Sequence, residues 1–250
     1  MQEKTQKQSL VQEKTERKSI MNISRDRTFQ LIYQSCYFAL SVVAVLGSVG
    51  FFAHTFVWSF YIHFTNLSNY FCTAIMLAEL IQTARKKEDS YVSFHPCLKF
   101  VGMLGIFLTF MVFNFLLANQ PGRDPAKNFV VECVLMHMVL PVLYIGDWVL
   151  FYEHRKVKWY DPIASTLLPI AYLAFIFLHA WAYHFDTGIL NYSGDGPLIY
   201  PYFFLNPETQ GVGGVVKWFF ILMAGFMVTG YAFLGIDRIL PHRGKKEDAA

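Results

Sequence analysis

One uncharged stretch constrains this chain more than any other feature. Between Arg27 and Glu79 there is no Asp, Glu, Lys or Arg, which leaves residues 28–78, 51 in all, without a formal charge. A helix needs about 20 apolar residues to cross the hydrocarbon core of a bilayer, so this stretch is long enough to cross it twice. Over the whole chain 54% of the residues are hydrophobic and 16% are charged. These values are typical of an integral membrane protein and exclude a soluble enzyme.

Six apolar stretches of helical length follow one another along the chain, bounded by charged residues or by helix-breaking Pro and Gly. The predicted spans are residues 28–53, 59–82, 97–118, 128–152, 162–184 and 214–236. Backbone polar groups inside lipid must be satisfied internally, so each span is expected to be a helix. The sequence therefore predicts an all-α polytopic protein with a six-helix transmembrane domain over residues 28–237. Two polar tails flank that domain, residues 1–27, expected to be disordered, and residues 238–250.

The positions of Lys and Arg predict the orientation of the chain. Eighteen of the 21 basic residues lie in the two tails and in residues 83–99 and 153–161, whereas the alternate connections hold three. Short connections with positive charge stay on the cytoplasmic side, so both termini are predicted to be cytoplasmic. The formal net charge is only +3 and the basic residues form no continuous patch. This excludes a nucleic-acid partner and leaves membrane lipids as the expected one.

The sequence contains no pattern for a metal or an organic cofactor. It has no CxxC pair, HExxH motif, Gly-rich phosphate loop or dinucleotide fingerprint. Its four cysteines lie within or beside apolar segments: Cys36, Cys72, Cys97 and Cys133. We therefore expect no cofactor, and cysteines that act as small packing residues.

Polar residues inside the spans point to one level of the membrane domain. Such residues are costly in lipid unless they face a partner or a water-filled cavity. Near the start of the second span, Thr65 and either Ser68 or Asn69 share one face of a helix. The fourth span carries His137, and at about 1.5 Å of rise per residue Thr65 and His137 each lie about 10 Å below the outer boundary. The two side chains are therefore predicted to be able to meet.

A hydroxyl and an imidazole at one depth are the components of nucleophilic catalysis, in which a base removes the hydroxyl proton. In this interpretation Thr65 attacks and His137 is the general base. Thr and Ser in membrane helices also bond to their own helix or to a neighbour, and Asn joins helices. A purely structural role is therefore the competing interpretation for these side chains, and a structural partner would also account for the buried imidazole.

Several polar neighbours are candidates for supporting roles in such a site. Glu132 or Asn114 is expected to orient the base, and Asn69 or Asn66 to donate a hydrogen bond to an oxyanion. Ser68 is a rival nucleophile, one turn further along the second span. His179 and His184, toward the outer end of the fifth span, are expected at a similar level.

Three other features remain open from the sequence. Pro141 is expected to kink the fourth span and to free the carbonyl one turn earlier, near His137. Asp147 is expected to anchor or pair with the basic residues that follow that span. The connection 185–213 is rich in Gly, Pro and aromatic residues, which fits an interfacial aromatic belt. A lid over a site is the alternative role for this connection.

Three stretches of the chain resemble a known family: FTNLSNYF at residues 64–71, LMHMVLPVLYIGDWVLF at residues 135–151 and YPYFFLNP at residues 200–207. Their order and spacing, together with the six-span layout, resemble the predicted six-pass prokaryotic membrane protein family. That bacterial group looks distantly related to the androgen-induced gene 1 family of animals. The resemblance covers residues 28–237 and implies a multi-pass protein of the bacterial plasma membrane.

The animal relatives are integral-membrane hydrolases that use one Thr and one His to cleave fatty acid esters of hydroxy fatty acids. The resemblance implies Thr65 and His137 as the corresponding pair, because both positions match in residue type. The hypothesis that follows is an intramembrane threonine hydrolase that cleaves lipid esters. The alternative is a non-catalytic lipid-binding protein or a small-solute carrier that uses the same residues to coordinate a headgroup, a proton or a polar solute.

Overall fold

The structure is a computed structural model that describes residue 6 and residues 23–92, 94–120, 122, 124–185 and 199–240. Most of both predicted tails lies outside these residues, namely residues 1–5, 7–22 and 241–250. Residues 186–198 of the predicted outer connection and the side chain of His184 also lie outside them.

The described part of the chain is all-helical, 79% helix without a strand, which confirms the all-α part of the prediction. Its long helices are α1 (Arg27–Ser48), α2 (Phe64–Arg85), α3 (Pro96–Leu117), α4 (Val131–Phe151), α5 (Asp161–Tyr183) and α6 (Pro207–Ile239). All of these except α2 are long and apolar enough to cross a membrane, five helices among the described residues. With 22 residues, α2 is equally long. It is more polar because it contains Thr65, Ser68, Asn69, Glu79 and Thr83. All five of these side chains are buried against the rest of the protein.

The helix ends differ from the predicted spans for local reasons. The first span was predicted to reach residue 53, but α1 ends at Ser48 and the chain turns at Gly50, where φ is +82°. A Cβ at Gly50 would lie 1.8 Å from the carbonyl oxygen of Thr55, so this turn requires glycine. The second span was predicted from residue 59, where Trp58–Tyr61 instead forms a short 3-10 turn before α2. The last helix, α6, begins before the predicted residue 214 and contains a break at Gly211.

Two apolar clusters hold the helices together. The larger one is formed by α1 to α4 with two side chains of α6, and its fully buried members include Tyr37, Phe100 and Tyr144. The smaller one joins the start of α2 to α5 and to the segment before α6, through residues such as Phe64 and Tyr202. It therefore holds residues 200–205 against the first turn of α2.

The outer faces of the last two helices are apolar. Large exposed side chains on α5 and α6 include Leu167, Leu178, Trp181, Phe220 and Val228. A soluble protein rarely exposes a continuous apolar surface of this kind, whereas lipid tails solvate it without cost. The faces are those expected of lipid-exposed helices.

Gly102 allows a close approach between α3 and its neighbours α2 and α4. A Cβ there would lie 2.8 Å from Tyr144 Oη and 3.3 Å from Cys72 Sγ. We expect Gly102→Ala to lower the free energy of unfolding by about 1–3 kcal/mol, because the added methyl overpacks the core. Thermal unfolding in detergent measures the change. Gly235→Ala in α6 is the matched control, since no heavy atom lies within 4 Å of its added Cβ. Equal destabilisation by both variants would contradict the packing argument.

Candidate active site

Thr65 and His137 meet in the structure. Thr65 is the second residue of α2 and its side chain is 7% exposed. His137 lies 72 residues later, in the second turn of α4, and its Nε2 is 3.3 Å from Thr65 Oγ1. The proximity expected from matched depth is therefore present.

The shortest hydrogen-bond contact of the imidazole indicates which ring nitrogen carries its proton. His137 Nδ1 lies 2.9 Å from the carbonyl oxygen of Cys133. A carbonyl oxygen only accepts, so the proton of a neutral imidazole resides on Nδ1 and the lone pair on Nε2. The ring is also stacked on Phe113, with centroids 3.8 Å apart. The nitrogen that faces the Thr65 hydroxyl is consequently the one that accepts a proton.

The backbone around His137 departs from a regular α-helix. Residues Leu135–Val139 form a π-helical turn, and Pro141 follows after one further residue, Leu140. Because Pro has no amide hydrogen, the carbonyl of His137 lacks its usual partner one turn on. Asn114 Nδ2 lies 3.5 Å from this oxygen and 2.8 Å from the carbonyl of Phe110. Asn114 therefore positions the main chain of His137, and the Cys133 carbonyl orients the ring.

Asn69 and Ser68 support the backbone at Thr65. Asn69 Nδ2 donates to the Thr65 carbonyl at 2.8 Å and to the Met136 carbonyl at 3.2 Å, which ties α2 to α4. Both of its amide hydrogens are thus engaged in the arrangement seen. Ser68 Oγ donates to the Thr65 carbonyl at 3.0 Å and contacts Thr109 Oγ1 at 2.8 Å. The hydroxyl of Ser68 is therefore directed at α3, and among the described contacts it has none with an imidazole.

Asn66 and Glu132 lie beside the Thr–His pair. Asn66 donates through Nδ2 to the carbonyl of Phe60 at 2.8 Å and lines the same cavity as His137. Glu132 lines that cavity too, and its Cβ packs where Gly47 has no side chain. Neither residue has a described hydrogen bond to the imidazole. Both border the cavity that His137 also lines.

Tyr202 is a residue of this site that the sequence analysis assigned only to an aromatic belt or a lid. Its ring is buried, stacked on Phe204 with centroids 5.1 Å apart. The amide of Thr65 donates to Tyr202 Oη at 3.5 Å. Burial raises the pKa of the Tyr202 hydroxyl, which therefore keeps its proton and can donate it in a hydrogen bond. The motif YPYFFLNP was the available signal, but no spacing rule connects it to residue 65.

The start of α2 adds electrostatic stabilisation to this region. Phe64, Thr65 and Asn66 form its first turn, and the first intrahelical bond runs from the amide of Leu67 to the carbonyl of His63. Amide hydrogens of a first turn lack helical partners and carry the positive end of the helix dipole. An oxyanion next to Thr65 would be stabilised by them.

Thr65 lies between two cavities of different character. One has an apolar lining from α3, α5 and α6, including Leu108, Leu222 and Phe226. The other includes polar side chains such as His63 and Glu132. Four residues line both cavities: Thr65, Phe113, Leu117 and Tyr202. The Thr65 hydroxyl thus sits where an apolar and a polar space adjoin.

The remaining polar residues expected at this level are arranged differently. His179 is buried against Tyr61, with ring centroids 5.9 Å apart, and lines neither of these two cavities. Within the described ranges, no three His, Cys, Asp or Glu side chains come together as a metal-binding group.

Comparison with known proteins gives no match: no family model, no curated protein and no solved structure is significantly similar to the chain.

Proposed function

We propose that this protein is an intramembrane lipid ester hydrolase in which Thr65 is the nucleophile and His137 the general base. The observation that carries the proposal is the 3.3 Å contact between Thr65 Oγ1 and His137 Nε2, with the opposite ring nitrogen held by a carbonyl. A hydroxyl becomes a nucleophile when an adjacent base takes its proton, and a third group keeps that base oriented. In this proposal Thr65 supplies the hydroxyl, His137 is the base, and the Cys133 carbonyl keeps the base oriented.

The reaction proceeds in two steps. In the first, Thr65 Oγ1 attacks the ester carbonyl carbon while its proton passes to His137 Nε2. The carbon–oxygen bond to the alcohol breaks, the alcohol oxygen takes the proton from His137, and an acyl-threonine remains. In the second step water attacks the acyl carbon and gives a proton to His137. Thr65 leaves with that proton, and the fatty acid is released.

Negative charge develops on the carbonyl oxygen in both steps. Tyr202 Oη accepts from the Thr65 amide, and its own proton makes it the donor best suited to this charge. The backbone amide of Asn66, in the same first turn of α2, is a second donor. Fixed donors in a site that excludes water lower the barrier more than equivalent groups in solution. Asn66, with one amide hydrogen beyond that bound to Phe60, is a further donor on the polar side.

The two cavities suggest how a lipid ester would lie. The apolar cavity suits an acyl chain, because it is lined by aliphatic and aromatic side chains from three helices. The polar cavity suits the alcohol part of the ester and the hydrolytic water. Fatty acid esters of hydroxy fatty acids, the substrates implied by the family resemblance, are the first class to examine. No cofactor enters this mechanism.

The proposal also includes a membrane arrangement. With α2 as a sixth span, 22 residues cover about 33 Å at about 1.5 Å per residue, which matches the hydrocarbon core. The basic residues after α2 and α4 support cytoplasmic termini. Thr65 would then lie toward the outer side of a bacterial plasma membrane, where lipid enters laterally.

The direct test is lipid ester turnover by the purified full-length protein in an ester-free detergent. We expect release of free fatty acid, measured by mass spectrometry, from at least one long-chain ester. Thr65→Ala, with unchanged elution and unfolding temperature, is the control and should release fatty acid at least about 100-fold more slowly. Binding of lipid without turnover in the folded wild type would contradict hydrolysis and favour a lipid-binding protein. Saturable solute uptake into proteoliposomes that survives Thr65→Ala would instead favour the carrier.

The apolar cavity predicts a dependence on acyl length. Leu222 of α6 lines this cavity and an adjoining apolar space next to α3. We expect Leu222→Trp to fill this junction and to lower kcat/KM for long-chain esters about tenfold or more, with little effect on short-chain esters. Val228→Trp, at a position 71% exposed on the same helix, is the control. An equal loss for short and long chains would contradict the assignment of the acyl site.

A further inference from the structure

A second cluster of polar groups lies far from Thr65, between α2, α3 and α4. Lys99 Nζ is 2.9 Å from Glu79 Oε2 and 2.6 Å from Asp147 Oδ2, and all three side chains are 0% exposed. Glu79 follows Thr65 by 14 residues, about 21 Å along a helix at about 1.5 Å per residue. The cluster is therefore separate from the proposed hydrolytic site.

This arrangement changes two sequence interpretations. Lys99 was counted among the basic flanks of the spans, but it is buried inside α3. Asp147 was expected to anchor the end of α4 or to pair with the basic residues after it, and it pairs with Lys99.

The cluster has two carboxyl groups for one ammonium group. Tyr152 Oη donates to Glu79 Oε1 at 2.6 Å, and the Tyr144 ring lies 3.8 Å from Lys99 Nζ, but neither adds a formal charge. The other titratable groups that face the cluster are Tyr33 and Tyr37 of α1 and Cys72 of α2. With both carboxyls ionised, the cluster would carry one net negative charge away from water.

Two basic side chains at one end of the bundle, Lys86 and Arg27, donate their hydrogen bonds to groups outside the cluster. Lys86 also acts on Asp147 and Glu79 through its charge. Lys86 Nζ binds Gln30 Oε1 and the carbonyls of Ser90 and Tyr91. The Arg27 guanidinium binds the last carbonyls of α2, those of residues 83 and 84. Both cations are thus engaged with uncharged oxygens at the end of the bundle that carries Lys86.

Several buried atoms around the cluster have no hydrogen-bond partner among the described residues. They include Asp147 Oδ1, Tyr144 Oη, Tyr37 Oη and both polar atoms of the Gln34 side chain. A buried carboxylate oxygen without a donor is costly, and so is an uncompensated charge, whereas a neutral carboxyl group avoids both costs. Polar atoms of this kind are also where internal water molecules bind.

We propose that Glu79, Lys99 and Asp147 form a proton-binding site in which the two carboxyl groups share one exchangeable proton. Uptake of that proton makes the cluster neutral, one carboxylate against one ammonium. The proton exchanges along the buried polar face of α1, where Gln30, Gln34 and Tyr37 follow at helical spacing from the Lys86 end. The ligand of this site is a proton. The packing of α1 to α4 therefore depends on proton activity at the end of the bundle that carries Lys86.

Infrared spectroscopy of the full-length protein in an ester-free maltoside detergent tests this site. We expect the wild type at neutral pH to have a carboxylic acid C=O band that shifts in D2O. Asp147→Asn and Glu79→Gln should each abolish the band, because the remaining carboxylate is then matched by Lys99. Lys99→Met should increase it about twofold, since both buried carboxyls must then be neutral.

The controls separate proton binding from a structural role. Asp237→Asn removes a buried carboxyl that contacts His154, not Lys99, and should leave the cluster band unchanged. A folded wild type without a protonated carboxyl band would overturn the proposal without any variant. So would a band that persists in both Asp147→Asn and Glu79→Gln. Neither outcome bears on Thr65, so the hydrolase proposal stands or fails separately.

Discussion

Replacement of Thr65 by Ala, or of His137 by Ala, is expected to lower kcat/KM for lipid ester hydrolysis by at least about 100-fold, because either change removes one partner of the proton transfer. Thr65→Ala removes the attacking oxygen, and His137→Ala removes the nitrogen that lies 3.3 Å from it. Initial rates of fatty acid release from one long-chain ester, measured for each folded variant, give the comparison.

Ser68→Ala is the matched control for these variants. Ser68 is the next hydroxyl on the same buried face of α2, and its contacts are with the Thr65 carbonyl and Thr109. We expect it to keep activity within a few-fold of the wild type. The double variant Thr65→Ala/His137→Ala should be no less active than either single variant, since the pair acts as a unit. The assignment of Thr65 and His137 as one catalytic pair would be contradicted by a double variant whose loss of activity is the product of the two single losses. It would also be contradicted by a Ser68→Ala variant as inactive as Thr65→Ala.

If the proposed mechanism holds, Tyr202→Phe is expected to lower kcat by about 100-fold with little change in KM, as removal of one oxyanion donor does in characterised hydrolases. The phenyl ring keeps the stacking on Phe204 and the packing at the start of α2, so only the hydroxyl near the Thr65 amide is lost. Steady-state kinetics on the same ester separates kcat from KM.

Tyr200→Phe controls for the loss of a tyrosine hydroxyl in the same segment. Tyr200 packs against Phe177 and lines neither of the two cavities at Thr65. Its removal should leave kcat unchanged. If Tyr202→Phe raised KM and left kcat unchanged, Tyr202 would be a substrate-binding residue and not an oxyanion donor.

The Thr–His pair was predictable because membrane thickness fixes depth. Counting steps of about 1.5 Å from the predicted span starts, residues 59 and 128, places both residues at a common level. The absolute depth was wrong for Thr65, because α2 begins at Phe64 and Thr65 lies in its first turn. Depth alone left rotation about the helix axis open, and this rotation decides whether side chains face each other. The structure resolves it through Asn69, which binds the main chain of both Thr65 and Met136.

The remaining parts of the site depend on contacts that no spacing encodes. Tyr202 reaches Thr65 across 137 residues, through packing of the segment before α6. The role of Asn114 depends on a carbonyl exposed by a π-helical turn next to Pro141, which a helical wheel does not represent. Sequence reasoning therefore chose Asn114 correctly as a neighbour of His137 but assigned its contact to the ring instead of the main chain.

Lys99 and α2 show that hydropathy alone does not predict which polar residues are buried. A charge near the end of an apolar stretch resembles a flank, and only the partners on α2 and α4 identify it as buried. The polar residues of α2 reduce its mean hydropathy although they face the protein interior. Average hydropathy measures composition and not the face that meets lipid.

Site-mapped labelling by a fluorophosphonate probe tests the central claim most directly, because the probe reacts only with an activated hydroxyl. The detergent-purified wild type, Ser68→Ala and His137→Ala are each labelled, digested and analysed by mass spectrometry. We predict an adduct on Thr65 in the wild type and in Ser68→Ala, and none in His137→Ala. An adduct on Ser68, or a folded wild type that remains unlabelled, would contradict an activated threonine at position 65.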